Sequence, residues 1–301
     1  MPHEAETRYR QVLETLGTNR RWYQLGSDDY FAAVIAAVDD VAPTEIVERD
    51  EHLHEVLSAG NDLHLIRRSL AAITAVRGLD IELFVSASEQ VAETLRPATR
   101  TKRFRRVAGT ITIASGRIEF DVLGNRAISL YEAWQHEHRI STVAGDIVLA
   151  VISETLGIDP ATALDRARSA SNQLAASGYE GAWEVARILC LDDPEASVPR
   201  FLTLADLMRG RRKRLSTDRR SAIAIAALAQ HPPDLLAELV SERLRAIRVK
   251  RWQPDSRIAL SIAALLTLGA SVSSTHQAYP AFHGFVLREH YLASYREANA
   301  G

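Results

Sequence analysis

Cysteine occurs once, at Cys190, so neither a disulfide framework nor a thiolate metal site can be assembled. Lysine is nearly as scarce, with Lys102, Lys213 and Lys250 the only three among 36 basic residues. That bias points to a GC-rich bacterial genome more than to chemistry. Aromatic residues are 6% of the chain, and with 15 Gly and 10 Pro this favours helices over a sheet sandwich. Charge of neither sign prevails: the net value is −2, so no whole-molecule field gathers polyanions. No apolar run reaches membrane-spanning length, and the acidic start Met1-Pro2-His3-Glu4-Ala5-Glu6 lacks the apolar core of a secretory signal. The expectation is a bacterial cytoplasmic protein with no membrane partner.

What is present is a cadence of small apolar residues. Ile225-Ala226-Ala227-Leu228 and Ile262-Ala263-Ala264-Leu265 are the same four letters 37 apart, each seven residues after an aspartate, Asp218 or Asp255. The segment at 70–80 reappears at 149–159, and 31–38 stands one period earlier. A copy missing near 108 is supplied by Arg105-Arg106, Ile111-Thr112 and Gly116, which match Arg67-Arg68, Ile73-Thr74 and Gly78 at an offset of 38. Another lies at 185–191. Self-similarity at such a period is the signature of stacked supersecondary units. The chain therefore reads as all-α, with about seven helical hairpins of about 38 residues forming an αα-superhelix or a closed αα-toroid. Residues 1–26 are expected as an N-terminal helix and turn, 27–270 as the repeats, and 271–301 as a C-terminal cap or lid.

Each unit pairs a short apolar helix with a longer amphipathic one. Residues 222–229 are apolar all round, which implies burial on every side. The helix after Pro232-Pro233 instead carries Leu236, Val240, Leu244 and Ile247 as one stripe. Asp159-Pro160 and Asp193-Pro194 place a capping carboxylate before a proline at the first helical position. Asp28-Asp29 read as the cap of a helix at 29–38, and Ser216-Thr217 and Asp255-Ser256 as caps of short helices. Residues 109–113 and 117–122 alternate like two strands around Ser115-Gly116. The repeat register predicts helix there, and the register is the stronger constraint.

The succession 141–150, a long helix, Gly178-Tyr179-Glu180-Gly181 and then 187–191 resembles a bacterial family designated only as a domain of unknown function, number four thousand and three. The likeness spans about 65–270. It implies an all-helical repeat fold and brings no activity, so no residue inherits a role from it.

Several side-chain groups are candidate sites. His136 and His138 form a His-x-His able to chelate a metal from extended backbone; on a helix the two diverge by about 200° and read as a solvated end. Glu48, His52 and Glu55 share a helix face as an acid–base or metal-holding set, or as a solvated ion-pair stripe. His276, Tyr279, His283, His290, Tyr291 and Tyr295 cluster near the C-terminus, where a lid could supply general acids and a repeat cap needs a polar outer face. Candidate catalytic residues are thus Glu48, His52, His136, His283, His290 and Tyr291. Basic clusters at 96–106, 209–214 and 243–251 could follow a phosphate backbone if aligned on one rim. Arg20-Arg21-Trp22-Tyr23 is expected as an aromatic-basic turn. No cofactor is implied. The leading expectation is a binding scaffold whose concave face takes a protein or other macromolecular partner, an inference from fold class alone. The rivals are an enzyme with a His/Glu/Tyr site in the central concavity of a toroid, and a nucleic-acid-backbone binder.

Overall fold

Alanine brings helix axes to the short end of the 8–10 Å packing range, and the Ala-rich segments form a buried layer of helices. The computed structural model describes residues 2–17, 26–116, 120–138, 143–209, 215–247, 254–272 and 279–299. Among them there are fifteen α-helices and no strand, so the protein is all-α. Numbered along the chain, the buried ones are α2 (Ser27–Asp39), α4 (Arg67–Arg77), α6 (Lys102–Ala114), α8 (Asp146–Thr155), α10 (Trp183–Leu189), α12 (Thr217–Ala227) and α14 (Ser256–Ser271). The segments that recur in the sequence fall on these seven. In α8 every residue is buried, and in α2 the run 29–37 is.

Seven further helices, longer than every inner helix but α14, are half-exposed: α1 (Pro2–Gly17), α3 (Pro43–Val56), α5 (Ile81–Thr94), α7 (Phe120–Glu137), α9 (Pro160–Ala176), α11 (Pro194–Arg209) and α13 (Pro233–Ile247). Each packs on the inner helix that follows it in the chain. Each inner helix also touches the next inner one, and α14 touches α2. The outer helices do the same, with α13 against α1. Helix α1 is thus the outer partner of α2, with Tyr9, Val12, Leu13 and Leu16 buried. The last helix, α15 (Tyr279–Asn299), packs on α2, α4, α6, α8 and α14. It has no solvent face between Ala281 and Tyr291.

The caps follow the sequence in part. Asp159 accepts a hydrogen bond from the Thr162 N–H (3.0 Å), and Asp255 one from Arg257 (2.7 Å). Ser216 makes no side-chain cap. Asp29 accepts from the Gly26 N–H (3.2 Å), and the helix starts at Ser27, two residues earlier than expected.

The strand-like stretch is helical on both sides: α6 runs to Ala114 and α7 begins at Phe120, while 117–119 lie outside the described residues. Two buried threonines are satisfied within α6, Thr110 donating to the Val107 carbonyl (2.7 Å) and Thr112 to that of Ala108 (3.0 Å). Gly109 sets the approach of α5, because a Cβ there would lie 2.3 Å from the Ser88 carbonyl oxygen. Alanine is the better helix former by about 1 kcal/mol, yet Gly109→Ala should lower the unfolding free energy by about 1–3 kcal/mol through overpacking. Urea denaturation measures this, and a variant as stable as the parent would mean that α5 and α6 part freely.

Candidate functional site

The inner helices begin at one end of their layer, and polar side chains collect there. Two partly open cavities lie on either side of the C-terminal half of α15. The first, of 260 Å³, is walled by Phe104 and Val107 of α6, Asp146 and Val148 of α8, Glu184 of α10 and Thr217 of α12. From α15 it receives Arg288, Tyr291, Leu292 and Arg296. The second, of 180 Å³, lies between Phe31 of α2, Arg257 and Ser261 of α14, and Glu289, Arg296 and Glu297 of α15. Arg296 belongs to both. Every inner-helix residue named falls within the first two turns of its helix.

Ion pairs fix these walls. Arg187 Nη1 donates to Asp146 Oδ2 at 2.6 Å with both side chains buried, and its guanidinium lies over Trp134 (5.3 Å). Burial raises the Asp146 carboxyl, with Arg187 the chief opposing influence. Breaking such a buried pair costs about 3–5 kcal/mol, because a lone charge is left inside. Arg288 pairs with Glu184 and with Glu289 (2.5 Å), and Ser261 donates to Glu289 (2.9 Å). For Arg288 burial favours loss of the proton, but the two carboxylates outweigh it and its pKa is raised. Burial also raises Glu289.

Tyr291 is 1% exposed, meets Phe104 edge-on (5.7 Å) and, among the described residues, has no hydrogen-bond partner for its hydroxyl. Burial, with Asp62 nearby, raises its pKa, so it stays neutral.

Helix α15 also lies against α2 through polar contacts at Asp39, Asp28 and Ser27. His283 Nε2 and Asp39 Oδ2 are 2.8 Å apart, and the Tyr279 hydroxyl donates to the same carboxylate. His290 shares a hydrogen bond with the Ser69 hydroxyl through Nδ1 (2.8 Å), faces Asp28 through Nε2 (3.2 Å) and stacks on Phe31. Ser27 bonds to Ser294 and donates to Glu297 (2.8 and 2.9 Å). The serine–histidine–aspartate order is that of a nucleophilic relay. Yet Ser69 and His290 are fully buried and line neither cavity, so no substrate reaches them. Burial alone takes His290 down to about 3. Burial, then the neighbouring Asp50, takes Asp28 up to about 7 although 32% of its side chain still meets solvent.

The sequence candidates scatter. Glu48 and His52 are exposed on α3, where His52 Nε2 meets Glu82 of α5 at 2.8 Å, a solvated ion-pair stripe. His136 is exposed in the last turn of α7, and His138 stacks on Trp183 at 3.3 Å. Among the described residues no three His, Cys, Asp or Glu side chains are grouped to hold a metal. His283, His290 and Tyr291 are interior instead of forming a polar outer face. Of the six catalytic candidates, Tyr291 lines one of the two cavities described above. Cys190 is a buried structural thiol, pushed up to about 12 by burial.

Three arginines of the basic clusters are buried and paired with carboxylates. Arg106 pairs with Glu89 (2.6 Å), Arg105 with Glu93 (3.5 Å) and Arg243 with Glu6 (2.8 Å). Residues 210–214, 248–251, 20–23, Ser141, Thr142 and His276 lie outside the described residues. Sequence reasoning passed over Asp146, Arg187, Glu184 and Arg288, although a charge inside an apolar run such as 185–191 or 285–292 was a legible signal.

No family model matches the chain, and no curated protein or solved structure is significantly similar to it. Among the described residues no single helix is long and apolar enough to cross a membrane.

The Asp28–His290 pair gives a pH signature. Asp28 holds its proton up to about pH 7 when folded but only to about 3.8 when unfolded, so its contribution is full below 3.8 and lost as pH rises through 7. His290 runs the other way: it protonates near 6.5 unfolded and near 3 folded, so stability falls as pH drops below 6.5. Asp28→Asn removes only the first effect. Relative to the parent, the variant should be about 1–2 kcal/mol better off at pH 8 than at pH 5.5. Chemical denaturation at both pH values measures this, and an equal difference at both would refute it.

Proposed function

We propose that the chain is an αα-toroid of seven hairpin repeats that binds a small molecule at the mouth where its inner helices begin. The contacts of α14 with α2 and of α13 with α1 support closure over an open superhelix. One observation carries the functional reading. Opening turns of six inner helices and both flanks of α15 converge on two adjoining cavities that share Arg296. Convergence of a few polar groups in an otherwise apolar concavity is the usual anatomy of a ligand site. The concave face that a macromolecular scaffold would use is covered by α15 along much of its length.

A second reading, a protein partner on the outer layer, is supported by a 460 Å³ hollow between α5 and α7 lined by Val91, Phe120 and Val122. Leu83 and Val122, on those same two helices, are 71% and 52% exposed. That face carries apolar surface but little chemistry, so the mouth is preferred.

Ligand-observed NMR with a small-fragment library tests the proposal. Binders should fall into one mutually competing set, and Thr217→Phe, an exposed position on the cavity rim, should weaken them at least about tenfold without lowering Tm. Glu48→Phe on the outer layer should leave them unchanged. Binders indifferent to Thr217→Phe would overturn the assignment.

A further inference from the structure

Helix α6 begins the wrong way round for its own dipole. Its first two residues are Lys102 and Arg103, its first turn holds no acidic residue, and Thr101 makes no side-chain cap. Cations at the positive end of a helix are unfavourable by some tenths of a kcal/mol each, and the first-turn N–H groups need acceptors. Helix α4 starts with a comparable pair, Arg67-Arg68, but there Asp50 meets both guanidinium groups and Asp29 meets Arg68. Near α6 the carboxylates are spent elsewhere: Glu89 and Asp62 face Arg106, and Glu93 faces Arg105. Among the described residues neither Lys102 nor Arg103 has a carboxylate partner. Arg103 is held instead by aromatic faces, 4.1 Å from the Tyr295 ring centre and 5.2 Å from that of Phe104. Its Nε is buried without an acceptor.

A second, independent feature lies alongside. Tyr291 packs on Phe104 and Tyr295, is 1% exposed, and keeps a hydroxyl with no partner. A buried unpaired hydroxyl costs about 1–3 kcal/mol, and Tyr291 also lines the 260 Å³ cavity. Tyr291 on the cavity wall, Arg103 next to the wall residue Phe104, and an uncapped helix start together describe half of a recognition site. The missing half is an acceptor carrying negative charge.

We infer that Arg103, Tyr291 and the first turn of α6 form an oxyanion subsite, and that the mouth takes a ligand with a carboxylate or phosphate attached to a ring-sized apolar body. The inference rests on the small-molecule reading of the mouth and names the ligand class. The charged group lies against the Arg103 guanidinium with the Tyr291 hydroxyl donating to one oxygen, as charge-assisted bonds favour. The body rests among Phe104, Val107, Val148 and Leu292. An apolar cavity of about 150 Å³ already holds benzene, so a substituted ring fits. Asp146 and Glu184 on the far wall, each held by an arginine, keep a second negative group from binding there.

The test is ¹⁹F NMR titration of the full chain with 4-fluorobenzoate, 4-fluorophenyl phosphate and the neutral 4-fluorobenzamide. At least one anion should bind about tenfold or more tighter than the amide, and whichever anion binds identifies the group. Arg103→Gln and Tyr291→Phe should each erase that preference while leaving Tm within a few degrees. If the amide binds as well as both anions, the oxyanion subsite is wrong and the cavity reading survives. If an anion binds and both variants bind it unchanged, the residues are wrong. If none of the three binds, the inference fails together with the ring-sized cavity on which it rests.

Discussion

The contact between α14 and α2 is the constraint on which the other features depend. It brings the last inner helix against the first. Small residues make this possible: Gly269 of α14 leaves room for Val38 of α2 and Phe282 of α15, where a Cβ would lie 2.6 and 2.9 Å from them. Interiors are packed at crystal-like density, and the space between α2, α4, α6, α8 and α14 must be filled. Helix α15 fills it. Gly284 is set against Ile152 of α8 and Ile111 of α6, where a Cβ would lie 2.8 and 3.3 Å from them.

Filling that space with a purely apolar helix would leave its depth and rotation weakly specified. Instead α15 carries His283, Arg288, Glu289 and His290, each matched to one place: Asp39, Glu184, Ser261 and Ser69. Buried charges add little net stability. Misplacement by one turn would strand several of them at once, which makes a single register far better than its neighbours. The raised carboxyls of Asp28, Asp146 and Glu289 are the thermodynamic trace of that arrangement.

The inner helices were legible because a helix buried on all sides must be small and apolar throughout, and that composition survives as a spacing. The stretch at 109–122 was nearly misread, since β-branched alternation is a real strand signal until Thr110 and Thr112 find carbonyls one turn back. Helix α15 was not legible. Its histidines and tyrosines looked like a wet outer face, and nothing local distinguishes a polar residue facing water from one facing Asp39, 244 positions away. The buried polar contacts at the start of α2 were missed for the same reason. Asp28 and Asp29 satisfy every local rule for a helix cap, and only the tertiary neighbours Arg68 and His290 give them other work.

The Arg-Arg match between 67–68 and 105–106 separates structural repetition from function. Both pairs face acidic partners reaching from the preceding outer helix, Asp50 on α3 and Glu89 and Glu93 on α5. What recurs with the period is therefore hairpin cement, and a matched position is a poor guide to a binding residue. Lys102 and Arg103 fall outside that match, three places ahead of the matched pair, and among the described residues neither has a carboxylate partner. A ligand site on the proposed repeating frame would have to break the repeat, because equivalent positions offer a ligand no preferred orientation. The departures converge on one side of the mouth: a cationic start on α6, the short α10 bringing in Glu184, and the lone α15 supplying Tyr291 and Arg288.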